Sequence, residues 1–428
     1  MAQTETVHVI SKTDNRQHAV VHVDVSSVAG ELAPSTIRVR PHVLSLSTNN
    51  LTYALLGTML HWWDAYPVPA AAPAPYNDSS AWGIVPAWGF AKVLESTTEI
   101  APGSLLWGFW PTSSLPTELK VAPGTPRGHW IEASEHRKQL MTVYNRFIEV
   151  SEEDRDRMGW SAAFRTLWSA GYWLSDYVFS SAAGSPVHPL GNRAGVPWTG
   201  EDADLSSAVV VNLGASTKTA RCFTYNLLRR SKGLGPLGVL QVTSSPEALK
   251  LGAEKQGVKQ GSLPGLVNAL AYSDLGSAVP WLKSLGPSKL VVVDCGARGD
   301  ALARLHRLVQ EDAVLRECKL VTIQVGLQQK VYTGEELLEF QAAMKAYNQV
   351  QSNASDIQDA AIELEGAEAF FTRMSQRWEQ WLDDREVTVP DMRLVWGKGV
   401  TGAEGVFGGW ERLVKGEVQP EEAQVYMI

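Results

Sequence analysis

From residue 207 onward, short runs of apolar, largely β-branched residues alternate with longer amphipathic segments. Strands are predicted at 208–213, 238–242, 268–272, 289–294 and 319–325. The first four are each followed by a predicted helix, at 219–230, 246–256, 278–285 and 300–310. Continuous Val- and Leu-rich strands separated by amphipathic helices are typical of a parallel sheet covered on both faces. The segment therefore predicts an α/β fold class, with a doubly wound parallel sheet of the nucleotide-binding kind.

The sequence before this segment predicts a mostly-β domain. Runs such as HAVVHVDV, STIRVRPHVLSLST and LTYALLG, all within 17–58, predict strands, as do 90–94, LLWGFW and ELKVAP. Apolar spacing predicts helices at 134–148 and 160–180. Beyond the α/β segment, helical stretches are predicted at 334–350 and 355–384, before a closing helix, turn and short strand. The chain thus combines a β-rich first part, an α/β middle and a largely helical tail.

Charge and hydropathy limit the partners of this 428-residue chain. Its net charge of −8 and its lack of a Lys/Arg-rich run argue against nucleic-acid binding. The polar N-terminus lacks the apolar core of a signal peptide, and no apolar stretch approaches the ~18 residues that cross a bilayer. We therefore expect no nucleic-acid or membrane partner, and a cytoplasmic location.

The cysteines exclude one kind of metal site. Cys222, Cys295 and Cys318 are the only three, and so small and odd a number fits a reducing compartment. Since none precedes residue 220, a zinc site with cysteine ligands is impossible in the first part of the chain. We therefore expect no metal cofactor.

Several motifs resemble the medium-chain dehydrogenase/reductase superfamily. They are SLSTNNLTYALLG, GFAKVLESTTEIAPGSLLWGFWP, QVTSSPEALKLGAEKQGV, VVVDCGA and WERLVKGEVQPEEAQVYMI, which are similar to passages of its zinc-independent quinone and enoyl reductases. TYALLG, PAWGFAKV, HRKQLMTVYN and GASTKTA resemble more closely a divergent branch of the superfamily that is grouped as a domain of unknown function. The resemblance runs from about residue 35 to the end of the chain.

The resemblance implies a division into domains. Residues 1–180 and 380–428 are expected to form a GroES-like, mostly-β catalytic or substrate domain, to which the C-terminal segment returns. Residues 181–350 are expected to form a Rossmann-like dinucleotide-binding domain, and 351–379 a helical extension. Large members of the superfamily pair the edges of their Rossmann sheets, so a homodimer is also implied.

The turn after the first α/β strand has one glycine where a dinucleotide fingerprint has three. It reads Gly214, Ala215, Ser216, Thr217, Lys218, Thr219 and Ala220. The missing glycines normally allow the pyrophosphate to approach and the helix to pack tightly. Hydroxyls and a lysine at a helix N-terminus are nevertheless good phosphate partners. Two interpretations stay open: a degenerate but working phosphate loop, or a structural turn in which Ser216 caps the helix.

The second α/β strand indicates which cofactor would bind. An acidic residue at its end would hydrogen-bond the ribose of NAD, but here the strand ends in Thr243, Ser244 and Ser245. If a dinucleotide binds, NADPH is therefore favoured over NADH. Cys295 and Gly296 end a later strand, at the carboxyl edge where ligands bind. The candidate cofactor-binding residues are Gly214, Ala215, Ser216, Thr217, Lys218, Thr219, Ser244, Ser245, Cys295 and Gly296.

Candidate catalytic residues lie in the first part of the chain. The resemblance places Asn50 and Tyr53 near the nicotinamide position, where a tyrosine phenol can donate a proton to a developing enolate or alkoxide. Tyr53 could instead be a half-buried strand aromatic. His61 and Asp64 frame HWWD, where a histidine could titrate near neutrality. Tyr144 is a further candidate, and we expect it to share one face of the helix predicted at 134–148 with Arg137.

Tryptophans suggest a substrate pocket, since most of the 16 in the chain precede residue 200. Trp62, Trp63 and Trp88, with Trp82, bracket a Pro- and Ala-rich loop and could wall an apolar pocket for a hydrophobic small molecule. The alternative is that tryptophan simply fills a small β core. Asn145 is polar where burial is expected, and is either a satisfied core amide or a pocket residue.

These observations favour an enzyme: an NADPH-dependent, zinc-independent reductase of an enone, quinone or carbonyl in a hydrophobic small molecule. The alternative is a redox-neutral, cofactor-free isomerase, cyclase or C–C lyase on the same fold, with acid–base residues in a Trp-lined cleft. A third possibility is a non-catalytic ligand-binding or scaffold protein. Dinucleotide binding would separate the first from the other two.

Overall fold

The computed structural model describes residues 4–28, 30–151, 154–180, 186–195, 197–231, 233–260 and 266–428. The chain forms two compact units, each built from more than one segment. Unit 1 comprises Met1–Thr166, Gln329–Tyr332 and Arg393–Ile428, and unit 2 comprises Leu167–Gln328 and Thr333–Met392. The domain limits inferred above from the sequence stay predictions.

The regular elements follow in chain order. Up to residue 173 they are β1 (Thr4–Ser11), β2 (His18–Asp24), β3 (Thr36–Leu46), α1 (Thr48–Leu55), β4 (Trp82–Gly83), β5 (Ala87–Ser96), β6 (Leu105–Trp110), β7 (Thr117–Pro123), β8 (His129–Glu132), β9 (Arg146–Val150) and α2 (Arg155–Trp173). Up to residue 295 they are α3 (Gly200–Ala203), β10 (Ala208–Leu213), α4 (Lys218–Leu228), β11 (Gly238–Thr243), α5 (Pro246–Gln260), β12 (Val267–Ala271), α6 (Ala278–Ser284) and β13 (Lys289–Cys295). The remainder are α7 (Ala301–Glu311), β14 (Lys319–Gly326), α8 (Gly334–Ala346), β15 (Val350–Gln351), α9 (Ala354–Glu365), α10 (Ala367–Thr388), β16 (Arg393–Lys398), α11 (Val406–Val414) and β17 (Glu422–Met427). Short 3-10 turns include Trp62–Asp64, Glu135–Arg137, Thr142–Asn145 and Tyr272–Ser277, and a π-helical turn spans Leu174–Val178.

Unit 1 contains a closed barrel. Its sheet has the order β16-β17-β3-β5-β6-β9-β8-β7, and β7 also pairs with β3, from Thr36 opposite Lys120 to Val39 opposite Thr117. Aromatic side chains fill the interior, where the rings of Trp110 and Phe147 stack with centroids 4.5 Å apart. The C-terminal strand β17 pairs antiparallel with β3, so the end of the chain returns to this unit as predicted.

Unit 2 contains the predicted doubly wound parallel sheet. Its strand order is β12-β11-β10-β13-β14-β15, which is the usual Rossmann order 3-2-1-4-5-6. Every residue of β10, AVVVNL, is buried, as expected for the central strand of a sheet covered on both faces. Val209, Val211 and Val292 pack with Leu282 of α6 and Leu305 of α7 in one core cluster. The α/β fold class is therefore confirmed.

The strand predicted at LTYALLG is wrong, because this segment lies in helix α1. Asn50 explains the helix start: its side-chain carbonyl accepts a hydrogen bond from the backbone N–H of Ser47 at 2.8 Å, as in a capping box. Tyr53 is consequently a helix residue, so the alternative that it is a strand aromatic is also wrong.

The helix predicted at 134–148 is wrong as well. The segment contains two 3-10 turns and then enters β9. Arg137 folds it back on itself, since its Nε donates to the Asn145 side chain at 2.9 Å and its Nη2 to the Tyr144 carbonyl at 2.8 Å. In a helix, Tyr144 and Asn145 would be separated from Arg137 by about 10 to 12 Å along the axis. Arg137 and Tyr144 therefore share no helix face.

The helix predicted at 334–350 is too long. It ends at Ala346, and Val350 and Gln351 instead form the edge strand β15, where Val350 lies opposite Ile323 of β14. Apolar spacing could not show this, because a two-residue strand is specified by its partner strand rather than by its own pattern.

Candidate functional site

The turn that leaves β10 requires its glycine. Gly214 has φ +71°, and a Cβ atom built on it would lie 3.1 Å from the carbonyl oxygen of Cys295. Gly296, which follows β13, has φ +102°, and a Cβ there would lie 2.5 Å from the carbonyl oxygen of Leu327. Both positions combine a left-handed backbone with close neighbours, so a side chain is disfavoured at each. The two glycines therefore let neighbouring backbone segments approach one another closely at the carboxyl edge of the central strands.

Thr217, and not Ser216, caps the helix that follows. Its hydroxyl accepts a hydrogen bond from the Ala220 N–H at 3.4 Å, so the alternative that Ser216 is the cap is wrong. The first N–H groups of α4, including those of Lys218 and Thr219, have no acceptor within the helix. Together with the helix dipole, they make this end favourable for an anion.

Lys218 adds a titratable charge at the same end. Its side chain is half-buried. Burial, and then the neighbouring guanidinium of Arg221, lower the pKa of Lys218 to about 8. Near neutral pH the Lys218 side chain is therefore protonated in most molecules, and a bound anion would stabilise the protonated form.

Arg221 is a residue that sequence reasoning missed. Its Nε donates to the Ser216 carbonyl in the turn at 3.0 Å, and its two terminal nitrogens each donate to Asp391 at 2.7 Å. The Arg221 side chain is only 2% exposed. Nothing in the local pattern could have indicated the pair, because its partners are 170 residues apart.

The other predicted cofactor residues occupy the same sheet edge. Ala215 is buried, and its N–H donates to the Val242 carbonyl at 3.1 Å, which links the turn to β11. Ser244 is exposed and Ser245 half-buried at the end of β11, where the Ser245 N–H donates to Thr243 Oγ1 at 3.2 Å. Thr219 is half-buried.

Cys295 and its neighbour Asp294 end strand β13. Burial raises the pKa of the Cys295 thiol, and the Asp294 carboxylate raises it further, so the thiol stays protonated and is a poor nucleophile. Asp294 accepts hydrogen bonds from the backbone N–H groups of Gly296 at 2.9 Å and Ala297 at 2.7 Å. These bonds fix the turn around Gly296, a role that sequence reasoning did not assign to Asp294.

Tyr272, just beyond β12, was also missed. Its phenol oxygen faces the backbone N–H groups of Arg298 and Gly214, while burial raises the pKa of the phenol. A polar group of the chain thus lies directly against the glycine of the turn.

In unit 1, an aromatic cluster brings together several predicted residues. The Tyr53 ring on α1 lies edge-on to Trp62 (centroids 4.8 Å apart), to Phe109 (5.1 Å) and to Tyr144 (5.8 Å). The ring centroids of Trp88 and Tyr144 are 5.7 Å apart. Trp62, Trp88 and Tyr53 are buried, whereas Tyr144 is half-exposed. The segments concerned are far apart in sequence, and the barrel assembles them.

The phenol of Tyr53 is the polar centre of this cluster. Trp88 Nε1 donates to its oxygen at 3.0 Å. Burial raises the pKa of Tyr53, and hydrogen bonds from Trp88, Asn49 and Tyr144 act in the opposite direction by stabilising the ionised form. Burial also raises the pKa of Tyr144 well above its usual value, as does its proximity to Tyr53. Both phenols are therefore neutral at physiological pH and hold a proton to donate.

The remaining predicted catalytic residues lie around this cluster in different roles. Asn50 is buried, caps α1 and donates to the Pro86 carbonyl at 2.9 Å. His61 Nδ1 and Asp64 Oδ2 are 2.8 Å apart, and their side chains are 35% and 47% exposed. Trp63 does not join the aromatic rings above: a Cβ on Gly83 would lie 2.3 Å from its ring, so it packs against that glycine.

Asn145 belongs to a buried charged network. It accepts from Arg137 Nε and donates from Nδ2 to the Arg137 carbonyl at 3.1 Å, so its amide is satisfied. The Arg137 and Glu132 side chains are fully buried, with Nε and Oε2 3.5 Å apart, and the Arg137 guanidinium lies 4.9 Å from the Tyr66 ring centroid. The network fixes the turn that carries Tyr144.

A groove of about 790 Å³ lies elsewhere in unit 1, along the Pro- and Ala-rich loop. Its lining includes Tyr66, Pro67, Ala70, Leu119 and His136, and none of Trp62, Trp63, Trp88 or Asn145. The groove and the predicted Trp-walled pocket are therefore different places.

Within the described ranges, the protein has neither a cluster of metal ligands nor a membrane-spanning helix. No cluster of three or more His, Cys, Asp or Glu side chains there could hold a metal ion. Within the same ranges, no helix combines the length and the apolarity needed to cross a membrane.

Solved structures of similar fold include CurA and an enoyl thioester reductase, at low sequence identity. CurA from Vibrio vulnificus, solved with NADPH, is similar with a TM-score of 0.52 over 99% of this chain and 98% of that chain, at 10% identity. The mitochondrial 2-enoyl thioester reductase Etr1p/Etr2p heterodimer from Candida tropicalis matches with a TM-score of 0.51 over both whole chains, at 10% identity. An Etr1p complex with NADP and crotonyl-CoA gives a TM-score of 0.54 over both whole chains, at 8% identity. The predicted medium-chain dehydrogenase/reductase fold is thereby confirmed.

Sequence comparison assigns the family. No curated protein matches the chain. The model of a family described as "Protein of unknown function (DUF2855)" matches residues 44–419, which is most of the chain. The predicted relation to a branch grouped as a domain of unknown function is thus confirmed, and the chain belongs to the DUF2855 family.

Proposed function

We propose that this protein is an enzyme, an NADPH-dependent and zinc-independent reductase of an enone, quinone or carbonyl in a hydrophobic small molecule. The observation that carries the proposal is the N-terminal end of α4, where a left-handed glycine, the first helix N–H groups and half-buried Lys218 follow the central strand of a Rossmann sheet. Two solved structures with the same fold support it, since CurA was solved with NADPH and Etr1p with NADP.

The residues of unit 2 fit a dinucleotide phosphate. Gly214 and the first amides of α4 would hold the pyrophosphate, with Lys218 as a cationic partner. Ser244 and Ser245 place hydroxyls and no carboxylate at the end of β11, which suits the 2′-phosphate of NADPH better than the bare ribose of NADH. When bound, NADPH supplies a hydride to the substrate.

The proposed proton donor is Tyr53. Its O–H proton would pass to the oxygen of the substrate as negative charge develops there, leaving a phenolate that Trp88 and Asn49 stabilise. A proton from Tyr144 would then restore the Tyr53 phenol, and the half-exposed Tyr144 would regain its proton from solvent. Trp62 and Trp88 would exclude water from this exchange.

The other predicted residues keep more limited roles in the proposal. The solvent-accessible pair of His61 and Asp64 is a proposed proton source at the periphery of the cluster. Asn50 and Asn145 would act by holding α1 and the Tyr144 turn. We also propose that the protein acts in the cytoplasm as a homodimer.

Binding of the reduced dinucleotides tests it most directly. The purified protein is titrated with NADPH and NADH, following quenching of tryptophan fluorescence and energy transfer to the nicotinamide. We expect micromolar binding of NADPH, weaker binding of NADH, and loss of both on Lys218→Glu. Lys345→Glu makes the same charge change on the exposed face of α8 and is the matched control. If no binding is detected up to about 1 mM NADPH, the binding free energy is weaker than about −4 kcal/mol and the proposal is refuted.

One observation favours the redox-neutral alternative. Ser216 stands where the second fingerprint glycine would let a pyrophosphate approach, whereas the Tyr53–Tyr144 pair needs no dinucleotide to transfer a proton. An isomerase, cyclase or C–C lyase is therefore the second candidate. It predicts turnover without NADPH, and Tyr53→Phe would abolish that turnover while Lys218→Glu would not change it.

A further inference from the structure

Helix α10, which lies in the segment after the parallel sheet, runs along one face of α4. Three residues spaced four apart make the contacts: Arg221 and Tyr225 of α4, and Arg229, which is the C-cap of α4. Residues at this spacing share one face of a helix. Together they make a row of polar bonds that begins at the start of α4, next to the turn, and continues for two further helical turns.

The partners of this row lie on α10 and immediately after it. The Tyr225 phenol donates to Asp384 Oδ2 at 2.8 Å, and Arg229 Nη2 donates to Gln380 Oε1 at 2.6 Å. At the other end of the row, Arg221 donates both terminal nitrogens to the carboxylate of Asp391, each at 2.7 Å.

The bond at the start of α4 is the strongest of the three by geometry. Arg221 and Asp391 form a bidentate pair of charged groups, whose side chains are 2% and 19% exposed. Two parallel charged hydrogen bonds fix the plane of a guanidinium as well as its position. The remaining guanidinium nitrogen, Nε, donates to the Ser216 carbonyl at 3.0 Å. The guanidinium therefore transmits the position of Asp391 to the turn.

Asp391 is itself held in place by close packing. A Cβ on Gly252 of α5 would lie 3.0 Å from the Thr388 carbonyl and 3.5 Å from Pro390 Cδ, so the end of α10 lies directly on α5. Gln256 of α5 also donates to the Tyr225 carbonyl at 2.9 Å. Because α4, α5 and the end of α10 are mutually in contact, the segment carrying Asp391 has little freedom to shift.

We infer that α10 is a brace for the anion-binding turn, and that Arg221 and Asp391 are positioning residues that hold the turn in shape from outside. This deepens the proposed function and rests on it for the identity of the anion. Counted from Gly214, Ser216 and Thr219 carry side chains where a dinucleotide fingerprint has glycine. The hydrogen bond from Arg221 to the Ser216 carbonyl supplies a restraint that would keep the first amides of α4 oriented toward a phosphate. It also gives the long segment after the sheet a role at the cofactor site.

Amide hydrogen exchange and NADPH affinity test this inference together in the full-length protein. We expect Asp391→Asn to speed exchange at residues 216–220 and to weaken NADPH binding, each by roughly tenfold, since it removes a charged hydrogen-bonded partner. Arg221→Lys keeps the charge but loses the bidentate plane, so we expect the same two changes. Asp391→Glu keeps a carboxylate and should restore most of both.

Tyr225→Phe is the matched control. It removes one bond of the same row, one helical turn further from Ser216, and we expect a lower melting temperature with exchange and affinity within about twofold of wild type. If Asp391→Asn and Arg221→Lys lower the melting temperature but leave both readouts at wild-type values, the pair is merely structural and the inference fails. If the wild type binds no NADPH, the proposed function fails, and exchange at 216–220 alone decides whether the brace exists. If Asp391→Asn does not fold, the same two measurements on Arg221→Lys decide the question.

Discussion

The anion-binding turn of unit 2 and the aromatic cluster of unit 1 are built in opposite ways. The turn is one contiguous stretch, 214–220, whose shape follows from a left-handed glycine, a threonine cap and a helix N-terminus. The cluster takes Tyr53 from α1, Trp88 from β5 and Tyr144 from a 3-10 turn, which only the closed barrel brings together. In the proposed function, cofactor binding and proton transfer would therefore depend on separate structural supports, and a substitution should be able to damage one without the other.

The largest expected effect separates the two sites through Tyr53. We expect Tyr53→Phe to lower the turnover of NADPH-dependent reduction by about 10²- to 10⁴-fold, because it removes the general acid. The dissociation constant of NADPH should stay at its wild-type value, since Tyr53 is not among the proposed phosphate partners at the β10–α4 turn. Steady-state kinetics with an enone or quinone and fluorescence titration measure the two quantities.

Tyr426→Phe is the control for that experiment, because Tyr426 is another buried phenol of unit 1, on β17. It should leave turnover unchanged. Loss of turnover in Tyr426→Phe, or full turnover in Tyr53→Phe, would remove Tyr53 from the proposed chemistry.

The contrast between the sites also explains which of them sequence reasoning could reach. The β10–α4 turn and the presence of a parallel sheet follow from local rules, and both were predictable from runs such as VVVNLGASTKTA. The placement of Tyr53 was not, because a short apolar run fits a strand or a helix, and a hydrogen bond from Ser47 to Asn50 decides between them. The partner of Arg221 was also out of reach, because the contact depends on how α10 packs in three dimensions.

A smaller effect concerns the pH dependence of cofactor affinity at the turn. The pKa of Lys218 is lowered to about 8, so its charged form predominates below that pH and is lost above it. We therefore expect NADPH affinity to fall by roughly tenfold from about pH 7 to about pH 9.5, which corresponds to about 1.4 kcal/mol. The neighbouring Cys222 thiol, whose pKa burial raises, stays neutral over this range.

Titration of NADPH at several pH values measures this dependence, and Lys218→Met should abolish it. If the variant keeps the wild-type pH profile, another group controls binding and Lys218 is not the phosphate partner. The cluster predicts no such dependence over the same range, because burial raises the pKa values of both Tyr53 and Tyr144.

The smallest effect distinguishes the two hydroxyls of the turn. We expect Thr217→Ala to lower the free energy of unfolding by about 1 kcal/mol, because the Thr217 hydroxyl caps α4. Ser216→Ala should change it by less than about 0.5 kcal/mol, because only the Ser216 carbonyl is held, by Arg221, and that carbonyl survives the substitution. Urea unfolding of the two variants measures the difference. Equal losses would mean that both side chains support the turn. A larger loss in Ser216→Ala would show that the turn is held by its side chains, and the brace on the backbone carbonyl would then be secondary.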